Sequence, residues 1–235
     1  MNAYCGPPPT PMDWVSQWNF DPFVIGGLLL LLGAGFRAQR DHPDRQRSLV
    51  MAVGVFAILF LSPLCALTTA LFSARVLHHL LLVAVAAPLL ALTFAARATA
   101  SAGGSFVVAT MVFWAWHVPV LYTAALENTA IYWAMQASLV VTAFLFWRAT
   151  LLSGQPAQGV LSVVGAAAQM GLLGALLAFA PTPLYPPHLA STLPWGLGPL
   201  ADQQLAGLLM WVPGMLPYAV VGGVLARRSW RTAAS

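Results

Sequence analysis

The sequence predicts an all-α membrane protein, a seven-transmembrane helix bundle with its N-terminus outside and its C-terminus in the cytoplasm. Three observations carry that expectation. Of 235 residues, 60% are hydrophobic and only 7% charged, where a soluble domain carries about 25% charged residues. Mean hydropathy is +0.79. The few charges also fall far enough apart to leave apolar runs of about 20 residues, the length a span requires. This balance excludes a soluble enzyme, a disordered chain and an ordinary nucleic-acid-binding domain. The expected surroundings are a lipid bilayer, with no nucleic acid as partner. Strictly alternating strands, the mark of a membrane barrel, are missing from the pattern. Helices then remain as the way to pair every backbone amide in lipid. Seven spans take up about 140 positions, so residues 1–235 are read as a single polytopic membrane domain.

The elements follow in order from the charges and prolines. A first span, 22–36, comes after Asn19, Phe20 and Asp21. No basic segment precedes it, so it is expected to act as its own insertion signal rather than as a cleaved leader. The second, 49–70, lies between Arg47 and Arg75, and the third, 76–96, between Arg75 and Arg97. The fourth, 105–126, stops before Glu127, and the fifth, 130–147, before Arg148. Residues 149–201 hold no charge but cannot be one span. Gly154, Gln155 and Pro156 open the stretch, and Pro181, Pro183, Pro186, Pro187, Pro194 and Pro199 break its second half. It is read as a sixth span, 159–180, followed by an outer Pro-rich loop, 181–203. That loop is expected to be ordered over the bundle, because proline reduces the entropy lost on ordering. The seventh span is 204–226. Pro63, Pro88, Pro119, Pro213 and Pro217 predict kinks. Ala167, Gly171 and Ala175 set small residues at helical spacing on the sixth span, a face suited to close packing.

Arginine orients the bundle. The net charge of +4 is carried by ten Arg and no Lys. Arg37, Arg40, Arg45, Arg47, Arg97, Arg148, Arg227, Arg228 and Arg231 fall on one side of the expected spans, and Arg75 alone on the other. Positive residues favour the cytoplasmic face. Trp14, Trp18, Tyr185 and Trp195 then lie on the outer side, where aromatic rings suit the interface. Cys5 and Cys65 are too few for a disulfide framework or a thiolate cluster.

Once oriented, the scattered polar residues gather in the outer half. His78 and His79 stand at the outer start of the third span. His117 sits in the fourth, roughly 13 Å below its outer end. His188 lies in the Pro-rich loop, and Asp202, Gln203 and Gln204 lead into the seventh span. Only His42 is on the cytoplasmic side. Each has an ordinary explanation. His78 and His79 fit head-group contacts, and His117 fits a bond to a carbonyl freed by Pro119. His188 reads as surface, Asp202 as the cap of the seventh span, and Cys65 and Met210 as packing residues. Against this stands the cost of placing ionisable groups inside a membrane, which makes them functional candidates by default. Imidazole suits copper, iron and zinc. Consecutive antiparallel helices are neighbours, so His79 and His117 are expected within about 12 Å of each other, at depths differing by roughly 8 Å. His79, His117, His78, His188 and Asp202 are the candidate metal ligands, with copper as the expected metal. No H-E-x-x-H, G-x-S-x-G or P-loop is present, and no span holds paired carboxylates, so no enzyme activity is expected.

Four stretches share a further pattern. They are Phe72–Leu82 leading to Ala87–Leu90, Trp114–Leu126 with its WHVP core, Leu177–Pro186, and Ala201–Pro213 with its DQQLAGLLMW core. Through them the chain resembles the integral-membrane CtaG family of cytochrome c oxidase assembly factors, distinct from the soluble-domain copper chaperone of the same name. The resemblance implies a multi-pass protein of the bacterial inner (plasma) membrane. It implies a role in maturing a haem–copper terminal oxidase by copper delivery from the periplasmic side, with oxidase subunits as partners. In that family a His commonly stands where this chain has Arg75, four residues before His79. The substitution removes a two-His clamp from the third span. Two other functions are compatible with the residues: a transporter of copper or another small cation, and a haem-binding membrane protein with His79 and His117 as axial ligands.

Overall fold

A computed structural model describes residues 3–95, 101–152 and 155–233. Among them are eleven α-helices and no strand. In order these are α1 (Pro22–Ala38), α2 (Pro43–Leu61), α3 (Leu64–Ala70), α4 (Phe72–Leu81), α5 (Ala87–Thr93), α6 (Ala102–Ala115), α7 (Pro119–Glu127), α8 (Thr129–Leu151), α9 (Pro156–Phe179), α10 (Pro199–Trp211) and α11 (Leu216–Ala233).

Four helical stretches are long and apolar enough to cross a membrane: Phe72–Thr93, Thr129–Leu151, Pro156–Phe179 and Pro199–Arg231. Two bent pairs bring the number to six if each is one span. These are α2 with α3, bent by 48° at Ser62–Pro63, and α6 with α7, bent by 72° around His117. α1, on the expected first span, is apolar but has 17 residues, about 25 Å of helix against a hydrocarbon core of about 30 Å.

Proline starts helices here more often than it bends them. α1, α2, α7, α9 and α10 all begin on a proline, whose missing N–H is no loss in the first turn. Side-chain caps add to this. Asp21 accepts from the Phe23 amide before α1. Asn128 accepts from Ala130 and Ile131, turning the chain from α7 into α8.

Pro88 acts differently. α4 and α5 are one helix joined through a π turn, Leu82–Ala86. The Ala87 amide donates five residues back, to the Leu82 carbonyl. The next bond in that register would run from residue 88 to Val83, and proline has no hydrogen to give. The buried indole of Trp147 on α8 fills the place, donating from Nε1 to the Val83 carbonyl at 2.7 Å.

The third expected span therefore starts earlier than residue 76. Arg75 is not a loop residue but lies inside α4, 1% exposed. Its upstream turn is held by a carboxylate from α10, described below. The boundary near residue 96, and Arg97 with it, falls outside the described residues. α10 begins at Pro199, five residues before the expected start of the last span.

α9 and α10 cross at glycines. A Cβ on Gly174 would lie 2.8 Å from the Gly207 carbonyl oxygen, and one on Gly207 would lie 2.8 Å from the Ala178 amide. Gly171 belongs to this face, against Trp211 and Met215. The contact face thus runs through Gly171, Gly174 and Ala178 and shares only Gly171 with the Ala167–Gly171–Ala175 stripe.

Cys5 and Cys65 form a disulfide across 60 residues. Counting cysteines alone missed it: two are too few for a framework, yet one bridge needs no more. Closing a loop of that length removes about 4 kcal/mol of unfolded-chain entropy. It ties the N-terminal segment to the start of α3.

Candidate functional site

α4 presents Arg75, His78 and His79 at i, i+3 and i+4, the spacing of helix neighbours. All three are buried. The helix is positioned from across the bundle by Asp202 of α10. One carboxylate oxygen accepts from the Phe72 amide at 2.6 Å. The other accepts from the Ser73 amide at 3.3 Å and from the Ser73 hydroxyl. Asp202 is a capping residue, as its type suggests, but the helix it caps is α4 and not its own.

His117 occupies the break between α6 and α7. There the chain tightens, with His117 N–H donating to Trp114 and Val118 N–H to Ala115. The imidazole Nδ1 bonds the Phe113 carbonyl at 2.7 Å. A carbonyl only accepts, so Nδ1 carries the hydrogen and Nε2 is left with its lone pair. The Phe113 carbonyl is spare because the His117 amide turns to Trp114, not because of Pro119 as the sequence suggested, and the ring that takes it keeps a lone pair on Nε2.

His79 meets His117. Their ring centroids are 6.1 Å apart with planes at 81°, inside the expected separation. His78 stands 5.8 Å from His79 and edge-on to Phe60. Neither ring nitrogen of His79 has a hydrogen-bond partner, and His78 has only the Leu59 carbonyl beside it.

The other candidates lie elsewhere. His188, read from sequence as surface, is 2% exposed. Its Nδ1 donates to the Ala70 carbonyl at 3.1 Å, and its Nε2 accepts from the Tyr122 hydroxyl at 2.6 Å. Both nitrogens are occupied. Burial and then the nearby Arg75 charge hold its pKa down at about 4, against a carbonyl bond that raises it. Asp202 is spent on α4. Cys65 is in the disulfide and offers no thiolate. Met210 is buried where α10 crosses α9. Among the described residues, no three His, Cys, Asp or Glu side chains are placed to hold one metal ion.

The Pro-rich segment packs over the site. Tyr185, stacked on Phe72, donates its hydroxyl to the His117 carbonyl at 2.8 Å. The Leu184 amide donates to Gln203, and Ser191 donates to the Ala70 carbonyl. Trp195 donates to the Pro9 carbonyl and packs on Trp14.

Sequence reasoning missed three contributors. Arg75 marked a loop in the charge pattern but lies 5.4 Å from the centroid of the Tyr132 ring. Tyr122 and Tyr132 read as ordinary apolar positions of their helices. The only available signal was Tyr122 lying five residues after His117, within the Trp114–Leu126 stretch.

A family model described as cytochrome c oxidase caa3 assembly factor (Caa3_CtaG) matches residues 94–232. The match takes in His117, His188 and Asp202 and begins after α4, so Arg75, His78 and His79 lie ahead of it. No curated protein and no solved structure matches the chain.

Proposed function

We propose, from the premise that this chain belongs to the cytochrome c oxidase caa3 assembly factor (Caa3_CtaG) family, that it hands copper to a haem–copper oxidase subunit from the periplasmic side. The coarser function, assembly of cytochrome c oxidase by a multi-pass membrane protein, follows from the family and the apolar helices. The finer reading is a carrier without turnover chemistry, seven spans in a bacterial inner membrane, and His79 with His117 as the seat of the cargo.

The observation that carries this reading is the pair of imidazoles. Metal–nitrogen bonds of about 2.0–2.1 Å put two rings that share an ion at centroid separations of roughly 5–6.5 Å. The observed 6.1 Å falls in that range. His117 is held in one tautomer by its carbonyl bond, as metal-ligating histidines usually are. Two nitrogen ligands suit Cu(I), which accepts low coordination. Zinc in structural sites takes four ligands, and no third His, Cys, Asp or Glu joins this pair among the described residues. Two ligands also favour release, which a carrier requires.

The disulfide supports the orientation. Such bonds persist in the periplasm and are rare in the cytosol. Cys5 and Cys65 stand at the end of the bundle opposite the Arg37–Arg47 turn, the side that the arginine asymmetry places outside.

The test is copper analysis of the purified protein and of the oxidase matured beside it, for the native chain and a His79→Ala, His117→Ala double variant. Loss of copper from both, with the variant still folded, is the expected result. A fully copper-loaded oxidase from cells carrying only the variant would overturn the reading. A Soret band in the native protein would replace it with haem binding.

A further inference from the structure

Arg75 is a full positive charge with no visible counter-charge. A guanidinium does not lose its proton in proteins, so burial cannot neutralise it. It is 1% exposed, and its Nε and Nη1 have no hydrogen-bond partner. No carboxylate forms an ion pair with it among the described residues. Asp202, the one fully buried acid, has both oxygens engaged at the start of α4. The Tyr132 ring faces the guanidinium at 5.4 Å. That contact serves one face of the cation, the Tyr122 and Tyr132 hydroxyls lie beside it, and its Nε and Nη1 stay unmet.

The neighbourhood shares the deficit. The Tyr132 hydroxyl adjoins both Arg75 and the Gln136 amide, one turn along α8. The Arg75 charge also acts on His78. Gln136 and His78 are 1% and 0% exposed, and beyond the Tyr132 hydroxyl beside Gln136 and the Leu59 carbonyl beside His78 their side-chain nitrogens and oxygens have no partner. Buried polar groups are almost always satisfied, and a cluster that is not calls for a bound water or ion. Water would meet the hydrogen bonds but not the charge. Ionisable residues inside a membrane are expected to be paired.

We propose that Arg75, with Tyr132, Gln136 and His78 about it, forms an enclosed binding site for a small monovalent anion of the halide class. The arginine supplies the charge and two in-plane donors. Gln136 and His78 supply neutral N–H groups. Burial on every side restricts the site to an ion small enough to be enclosed. The site stands on charge balance alone and does not depend on copper binding.

The full chain in lipid nanodiscs tests it, with labelled chloride as the probe. Equilibrium dialysis is expected to retain about one chloride per chain, displaced by bromide and not by gluconate. At equal ionic strength the thermal midpoint should lie roughly 5 °C higher in chloride than in gluconate. Arg75→Met should remove both effects. No retained chloride on the native protein, or equal midpoints in the two salts, would overturn the site. The native protein decides this even if the variant fails to fold.

Discussion

The bond between Trp147 and the Val83 carbonyl offers a sharp test of how Pro88 is tolerated inside a membrane span. Trp147→Phe removes the Nε1–H and keeps an aromatic ring against Phe146 and Tyr218, which lie 5.2 and 5.0 Å from the indole. The Val83 carbonyl is then left without a donor, at a cost of about 1–3 kcal/mol. Trp147 is fully buried, so the smaller ring adds a packing loss of about 1 kcal/mol. The sum, about 2–4 kcal/mol, corresponds to a fall of roughly 4–16 °C in the unfolding midpoint for a chain of this size. A second substitution separates the hydrogen bond from the packing. In a Pro88→Ala background, residue 88 has an amide that can meet the Val83 carbonyl. Trp147→Phe should then cost only the packing part, a coupling of about 1–3 kcal/mol between two residues on different helices. Thermal unfolding of the four proteins of this cycle in one detergent reads it directly. If Trp147→Phe costs the same in both backgrounds, the indole is not replacing the bond that proline lacks.

Two more outcomes follow from buried groups. His188 is neutral in the fold with a pKa of about 4, below its ordinary 6.5. The unfolded chain therefore binds the extra proton between those values. The stability tied to neutral His188 is fully present above about pH 6.5 and lost as pH falls towards 4, up to about 3 kcal/mol. His188→Gln should flatten that part of the curve, and an unchanged slope would contradict the assignment. Gly207→Ala places a methyl against the Gly174 carbonyl and the Ala178 amide of α9. Unfolding should become easier by about 1–3 kcal/mol, whereas Gly223→Ala, with open space around it, should be neutral or better.

The helices were legible because in lipid each must be paid out as an apolar run, and charges mark where a run stops. The same logic misplaced Arg75. A charge reads as a boundary only if it reaches water, and this one is capped by tertiary structure instead. Nothing local announces that the Tyr132 ring will lie beside it or that Asp202 will hold the turn above it, 127 positions along the chain (202 − 75). Pro63 and Pro119 stood where the chain does bend, since a missing amide is visible in sequence. The π turn before Pro88 was not visible, because its repair comes from Trp147 on another helix. The disulfide was hidden for a related reason. Cys5 and Cys65 become a pair only when topology sets both at one end of the bundle.

The candidate pair was legible in part for a physical reason: polar groups in lipid are few, so each one narrows the possibilities. His79 and His117 had to face inward, and adjacent helices had to bring them near each other. His188 carried no such constraint, since a loop histidine is cheap to leave in water. Its burial comes from the Pro-rich segment folding down over α4 and α7, where the Ala70 carbonyl and the Tyr122 hydroxyl meet both ring nitrogens. That segment is linked in turn to the far N-terminus. Trp195 bonds the Pro9 carbonyl, and the disulfide fastens Cys5 to the head of α3. The cover over His117 therefore leans on an N-terminal segment that a covalent bond anchors, and is itself held by ring packing and single hydrogen bonds. Each of those hydrogen bonds is worth about 1 kcal/mol net. Opening that frees His117 should then begin at Tyr185, whose hydroxyl bond to the His117 carbonyl can break while the Cys5–Cys65 anchor stays closed.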